Sequence, residues 1–463
     1  MLQSSFSYRR LRSVATAVAV AALAGCTVVG PDYTPPPVPA LPSSWEEAET
    51  TAHTRDVTAW WQQFNDPVLN QLIERGARQN LSIEAAGLRI VQARAALGIS
   101  DALVFPQQQQ VNGNLSKLYQ NEQSFNSAAI SLDVGWEMDI WGKYARGIES
   151  AEASLYASIA SYRDVLVSVT AEITRNYINY RTAQERIHLS RQNIAIQQRV
   201  VEMTQVQFES GNVSELDVQQ AKTQLYATQS SLPGLTIQRL QARNALAVLL
   251  GTLPEEVEPL LALDGEREQP DFESQITDTS REFASPDTYS AESVIPVAPA
   301  LDSRIDSQLV LRRPDLQVAE LQARAQSARI GLTEADLYPQ FFLFGSIGLA
   351  ETVRPGDGFS ASNAVTAAIG PGLSWNIFQY DRIENRVRIE DALFQQSLSN
   401  YNQRVLQAVQ EVSNALEGYR YTLEKSKYDF SAVEASIRAF NISANQYNNG
   451  LVTYQRLLST VEK

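Results

Sequence analysis

The chain has 463 residues and a formal net charge of −14, with 52 acidic against 38 basic side chains, two histidines and one cysteine. That acidic balance excludes a nucleic-acid partner, which would need clustered lysine and arginine to meet the phosphates. A single cysteine excludes a disulfide framework. His53 and His188, without a Gly-rich phosphate loop or a His-Glu-x-x-His pair, offer no catalytic constellation, so no enzyme is expected.

Residues 1–25 read as an export signal. Arg9, Arg10 and Arg12 precede an apolar run over 14–23, and Ala24 and Gly25 place small residues before Cys26. The run is too short to cross a hydrocarbon core of ~30 Å as a helix, and no later segment approaches 18 uninterrupted apolar residues. Leu23-Ala24-Gly25-Cys26 resembles the lipobox of bacterial lipoproteins. The resemblance implies that Cys26 becomes the mature N-terminus and carries an S-diacylglycerol and an N-acyl chain, the only covalent group expected; no metal or other cofactor is. Several acyl chains anchor a protein firmly where one does not. Thr27 stands where an aspartate would mark inner-membrane retention, which points to the outer membrane. Residues 26–58 then form a lipid anchor and leader, with six prolines between Pro31 and Pro42 that exclude helix and central strand.

The rest is duplicated. "LGISDALVFPQ" at 97–107 aligns without gaps with "IGLTEADLYPQ" at 330–340, and "FESGNVSELDV" at 208–218 with "YNNGLVTYQRL" at 447–457, at offsets of 233 and 239. Two matches in the same order at similar spacing mark an internal repeat. Repeat one occupies 59–251 and repeat two 304–463, with a Pro-rich acidic linker at 252–303 between them. Lys463 corresponds to Gln224, so the counterpart of 225–251 is expected to lie beyond the sequence, leaving repeat two truncated at its C-terminus. Each repeat reads helix, Pro-Gln, two strands, long helix, glycine turn, helix.

In the strand pair of repeat one, Ile130, Leu132, Val134, Trp136, Met138 and Ile140 alternate with Ser131, Asp133, Gly135, Glu137 and Asp139. Period two gives one apolar and one polar face. Repeat two follows with Val365, Ala367, Ile369, Leu373, Trp375 and Ile377, interrupted by Pro371. The expected partner strands lie near 109–119 and 341–349. Strands of about ten residues with aromatics near their ends (Trp136, Trp141, Trp375, Phe378) suit a tilted bilayer crossing. Four strands cannot close a barrel, and an open edge in lipid would leave backbone groups unpaired, so several chains must share one barrel.

From 148 to 210 there is neither glycine nor proline, and Ile159, Leu166, Ile173, Tyr180, Ile187, Ile194, Val201 and Phe208 recur every seventh residue. The same frame in repeat two holds Leu398, Val405, Val412, Tyr419, Ser426, Val433, Phe440 and Tyr447. Such a seam predicts long supercoiled helices. Each ends at a glycine, in the turns Gly211-Asn212-Val213-Ser214 and Gly450-Leu451-Val452-Thr453. Glycine suits the left-handed position past a helix end, and Ser or Thr caps the next helix. Ser214 with Asp217 fits a capping box; Thr453 with Arg456 does not.

Lipobox, Pro-rich leader, duplicated unit and glycine turns, with "DIWGK" at 139–143 and "LRRPDL" at 311–316, together resemble the TolC-like outer membrane factors. The resemblance is to the lipoprotein branch paired with RND pumps, the NodT type. It implies a membrane α+β fold in which each chain gives one third of a homotrimeric, twelve-stranded outer-membrane β-barrel continued by a long periplasmic α-helical barrel. It implies an exit duct for drugs or other small toxic compounds, partnered by a periplasmic adaptor, an inner-membrane RND transporter and outer-membrane lipids. It places the adaptor at the two glycine turns and a periplasmic gate at Tyr447, which matches the family's gating tyrosine, with Arg456 and Ser459 standing one and two turns further on where relatives carry acidic residues. A type I protein or peptide secretion channel, a coiled-coil lipoprotein and a periplasmic adaptor are the alternative functions.

Overall fold

Period-two segments become strands and the Gly-free segment becomes helix. The computed structural model describes residues 28–37, 57–262, 293–299, 310–358, 360 and 364–461. The export signal, Cys26, much of the leader and most of the Pro-rich acidic linker fall outside the described residues. In chain order the elements are α1 (Pro67–Gln79), α2 (Leu81–Ala102), β1 (Gln108–Gln120), β2 (Gln123–Glu137), α3 (Lys143–Glu209), α4 (Glu215–Leu249), α5 (Pro254–Leu261), α6 (Pro314–Glu334), β3 (Gln340–Val353), β4 (Val365–Ser374), α7 (Arg382–Asn448) and α8 (Tyr454–Val461). Both repeats thus share the order helix, hairpin, long helix, turn, helix.

The chain divides into two compact units. The first holds the sheet, whose order is β1-β2-β3-β4 with every neighbouring pair antiparallel. Register puts Val111, Leu132 and Ile347 on one row, Gly113, Ile130 and Leu349 on the next, and Leu343 opposite Pro371. One face is therefore apolar from edge to edge, and it stays open in the single chain: Leu115 is 83 % and Ile369 82 % exposed. The other face carries a polar, internally bonded band, with Phe342 and Phe344 of β3 beside it. The Asp133 carboxylate accepts from Asn112 Nδ2 at 2.6 Å, Ser131 Oγ at 2.9 Å and Ser346 Oγ at 2.7 Å, and Thr352 Oγ1 donates to Ser127 Oγ at 3.2 Å. Pro371 sits in β4, an edge strand within one chain, where a missing N–H is tolerated.

β2 and β4 are shorter at their C-terminal ends than the alternation predicts, whereas β1 and β3 run past the expected 119 and 349. β2 stops at Glu137 and β4 at Ser374, leaving Met138, Ile140, Trp375 and Ile377 outside the sheet. The cause at β2 is helix capping: Asp139 accepts from the Tyr144 and Ala145 amides at 3.0 and 2.9 Å, drawing the backbone into α3. The two tryptophans make the same bond in each repeat. Trp136 Nε1 donates to the Val104 carbonyl at 2.9 Å, and Trp375 Nε1 to that of Leu337 at 3.0 Å. Positions 104 and 337 are separated by the 233-residue offset of the sequence alignment.

α3 and α7 each run 67 residues, about 100 Å at the usual helical rise. The seven-residue seam is buried at Ile173, Tyr180, Ile187, Val405, Phe440 and Tyr447, but Phe208 is exposed and α7 is exposed throughout 420–435. In the second unit α1 is tied to α3 through buried polar groups. Asp66 caps α1, accepting from the Leu69 amide at 2.8 Å, and also accepts from the Tyr177 hydroxyl at 2.7 Å. Arg181, 2 % exposed, donates Nε to that hydroxyl at 3.0 Å and lies 5.1 Å from the Tyr177 ring centre. Burial is the main cause of the raised Tyr177 hydroxyl pKa. Within the Pro-rich linker the structure adds a helix the sequence reading lacks, α5, opened by Pro254 at a position whose N–H is unbonded in any helix.

Candidate functional site

The two glycine turns are the same structure built twice. At the end of α3, Gly211 takes φ +76°, its amide donates to Phe208 O at 2.9 Å, and the Asn212 amide donates to Gln207 O at 2.9 Å. At the end of α7, Gly450 takes φ +68°, its amide donates to Tyr447 O at 3.0 Å, and the Leu451 amide donates to Gln446 O at 2.8 Å. Both are Schellman caps, which satisfy the last helical carbonyls and require a left-handed residue. The helices that follow start differently. The Asp217 carboxylate accepts from the Ser214 amide and hydroxyl, both at 2.9 Å, closing the capping box of α4. At α8 the corresponding position is Arg456, which has no carboxylate to return.

The structure brings both turns onto one apolar core, a pairing sequence alone does not disclose. Val200, Ala221, Phe440, Ala444, Tyr447, Tyr454 and Leu457 are buried together, and the turn residues Val213 and Val452 pack against them half-buried. Gly211, Asn212, Ser214, Gly450, Leu451 and Thr453 remain exposed, with Leu451 at 74 %. The paired tips thus present a small polar surface around one exposed leucine, pinned from below by two valines.

Of the three residues named for the gate, Tyr447 lies inside this core at 2 % exposure, while Arg456 and Ser459 are exposed on α8. The Tyr447 ring meets the Tyr454 ring edge-on, with centres 6.0 Å apart. Burial raises the Tyr447 hydroxyl pKa above the ordinary phenol range, with the Asp217 charge adding to it and the neighbouring Thr204 hydroxyl working against it. Thr204 directs its own proton to the Val200 carbonyl at 2.8 Å. Tyr454 is the aromatic partner that sequence reasoning missed; its spacing of seven from Tyr447, across the turn, was the available signal. Cys26 falls outside the described residues. Among the described residues no group of three or more His, Cys, Asp or Glu could hold a metal ion, and no helix is long and apolar enough to cross a membrane.

Known proteins share this arrangement over nearly the whole chain. The family model described as outer membrane efflux protein matches residues 72–252 and 306–461. Nodulation protein T of Rhizobium leguminosarum bv. trifolii is 28% identical over 453 residues, covering 95% of this chain and 90% of that protein. The probable outer membrane lipoprotein SilC of Salmonella typhimurium is 23% identical, covering 94% and 89%. The solved outer-membrane channel OprN is 30% identical with a TM-score of 0.78, covering 94% of this chain and 92% of its own. These matches fix the compartment as the outer membrane and the fold as that of an outer-membrane channel. By its hairpins, its long helices and these matches, the chain belongs to the outer membrane efflux protein family.

Proposed function

We propose that three copies of this chain form the exit duct of a tripartite RND-type efflux system that passes drugs or other small toxic compounds out of the periplasm. The observation that carries it is the sheet: four meandering strands, apolar on one face, largely polar on the other, with the outer edges of β1 and β4 unpaired among the described residues. Such a sheet is stable in lipid only when its edges close, and three chains give the even, antiparallel twelve. The polar face, lined by residues such as Asn112, Ser131, Asp133 and Ser346, then bounds a water-filled passage. In this reading Cys26 carries the N-acyl and S-diacylglycerol anchor, in keeping with a relative described as a lipoprotein. The exposed tips 211–214 and 450–453 receive a periplasmic adaptor that links the duct to an inner-membrane RND transporter. Tyr447, Arg456 and Ser459 lie at the periplasmic constriction, with Asp217 as the nearby acid.

The reading is tested by complementation. A strain lacking the chain should become at least about fourfold more sensitive to some compounds in a broad panel of antibiotics, dyes and solvents. The wild-type chain should restore resistance. Leu451→Asp, which charges the exposed tip without entering the core, should reach the outer membrane in normal amount yet fail to restore it. Unchanged sensitivity to the whole panel would reject the efflux role; full rescue by Leu451→Asp would reject the tip assignment.

A further inference from the structure

A second constructed feature lies in the first unit, where the leader meets the start of α3. Residues 28–32 run through a slot that three glycines make possible. Gly30, at φ +87°, faces Gly331 of α6 so closely that a Cβ on it would lie 2.3 Å from the Gly331 Cα. A Cβ on Gly331 would lie 2.5 Å from the Val29 carbonyl oxygen and 2.9 Å from Arg146 Cγ. Gly142, at φ +75° in the "DIWGK" turn, leaves room for Val28, whose Cγ1 would sit 2.7 Å from an added Cβ. Backbone approach this close needs glycine on both sides.

Arg146, 5 % exposed, closes the slot. Its Nε donates to Val29 O at 3.1 Å, its Nη2 to Gly30 O at 3.0 Å and to Asp32 Oδ1 at 2.8 Å, and its Nη1 to Glu149 Oε2 at 2.8 Å. The Val29 amide completes the contact by donating to Trp141 O at 3.0 Å. A buried guanidinium is costly unless its donors are met. Here three of the four acceptors come from the leader, two of them backbone carbonyls, so the arginine is satisfied only when the leader is seated. Tyr33 follows with its hydroxyl buried and raised to about 12, by burial first and then by Glu320. Trp141, at the other side of the slot, stacks on Tyr338 with ring centres 4.8 Å apart and donates Nε1 to Pro339 O at 2.7 Å. The slot is therefore built on the turns that end β2 and begin β3.

Two residues, Thr27 and Val28, lie between Cys26 and Val29, so the three steps from one to the other reach at most ~11 Å even fully extended. We propose that the slot is the seat of the lipid anchor. It holds 28–32 against the strand ends, so that acyl chains on Cys26 enter the membrane within that reach of Val29, which is bonded to Trp141, and set the depth at which the sheet sits in the bilayer. This rests on the reading that Cys26 is acylated. The anchor is then a locator of the barrel, not a loose tether.

The test uses the full-length protein in outer-membrane vesicles, with Gly30→Ala and Gly331→Ala expelling the leader from opposite sides of the slot. Each is labelled with radioactive palmitate, cut with chymotrypsin at Tyr33, and fitted with a nitroxide at Gln109→Cys, near the start of β1, for depth measurement. Both variants should keep the acyl label, raise cleavage at Tyr33 by about tenfold or more, and shift the nitroxide depth in the same direction. Wild-type cleavage as fast as in the variants would overturn the slot. Faster cleavage with unchanged depth would overturn the locating role. Loss of label from the wild type would instead remove the acylation reading while leaving the slot's protection measurable. Because Gly30 belongs to the leader itself, its variant distinguishes expulsion from damage to α6.

Discussion

Ile130→Arg is expected to abolish the membrane-inserted form of the protein, while Asn114→Arg, one row away, is expected to leave insertion intact. Ile130 lies midway along β2, paired with Gly113 on one side and Leu349 on the other, on the face that is apolar in all four strands. It is 52 % exposed among the described residues of the single chain. Arginine on the lipid face near the bilayer midplane costs about 2–4 kcal/mol per substitution. If three chains share the barrel, that cost is incurred three times. Asn114 pairs with Ala129 on the polar face, where an arginine stays in water. The comparison is read as protease-resistant, detergent-extractable protein in the outer membrane. Equal insertion of both variants would mean that the faces have been assigned wrongly.

Leu457→Ala is expected to loosen both tips at once. Leu457 is fully buried in the core shared by Tyr447, Tyr454, Phe440 and Val200, and its truncation should cost about 2–5 kcal/mol. Because Val213 and Val452 pack on that core from different repeats, the loss should reach the turn that does not contain the mutation. Amide exchange reports it: the Asn212 and Leu451 amides, which cap α3 and α7, should both lose protection. Loss at Leu451 alone would show that the tips are held independently, and a partner docking across both would then need another way to read them together.

The architecture was legible where the signal is periodic or punctuated. Alternation at 130–137 gave β2 and its apolar face, because side chains on a strand must take opposite sides. Glycines 211 and 450 gave the turns, because few other residues accept their backbone angle. The repeat alignment placed both hairpins, and the paired Trp136 and Trp375 bonds show that it is geometrically real. What could not be read were the meetings between distant segments. Nothing in a linear sequence couples Arg146 to Val29, Tyr177 to Asp66, or Val213 to Leu457. The ends of β2 and the helix α5 depart from the sequence expectation for a local reason: capping by Asp139 and a proline at the first helical position outweigh alternation and proline count. The tips were named from the sequence one at a time, whereas the surface they form belongs to both.

The mass of the assembly tests the central claim most directly. The four strands of the described residues leave two open edges that require closure by identical neighbours, so the full-length protein extracted in mild detergent should give a native mass of three chains and no stable dimer or tetramer. Cross-linking between cysteines introduced on β1 and β4 should join copies into a closed ring of three. A homogeneous monomer whose strands remain folded in that detergent would contradict the shared barrel, and with it the duct.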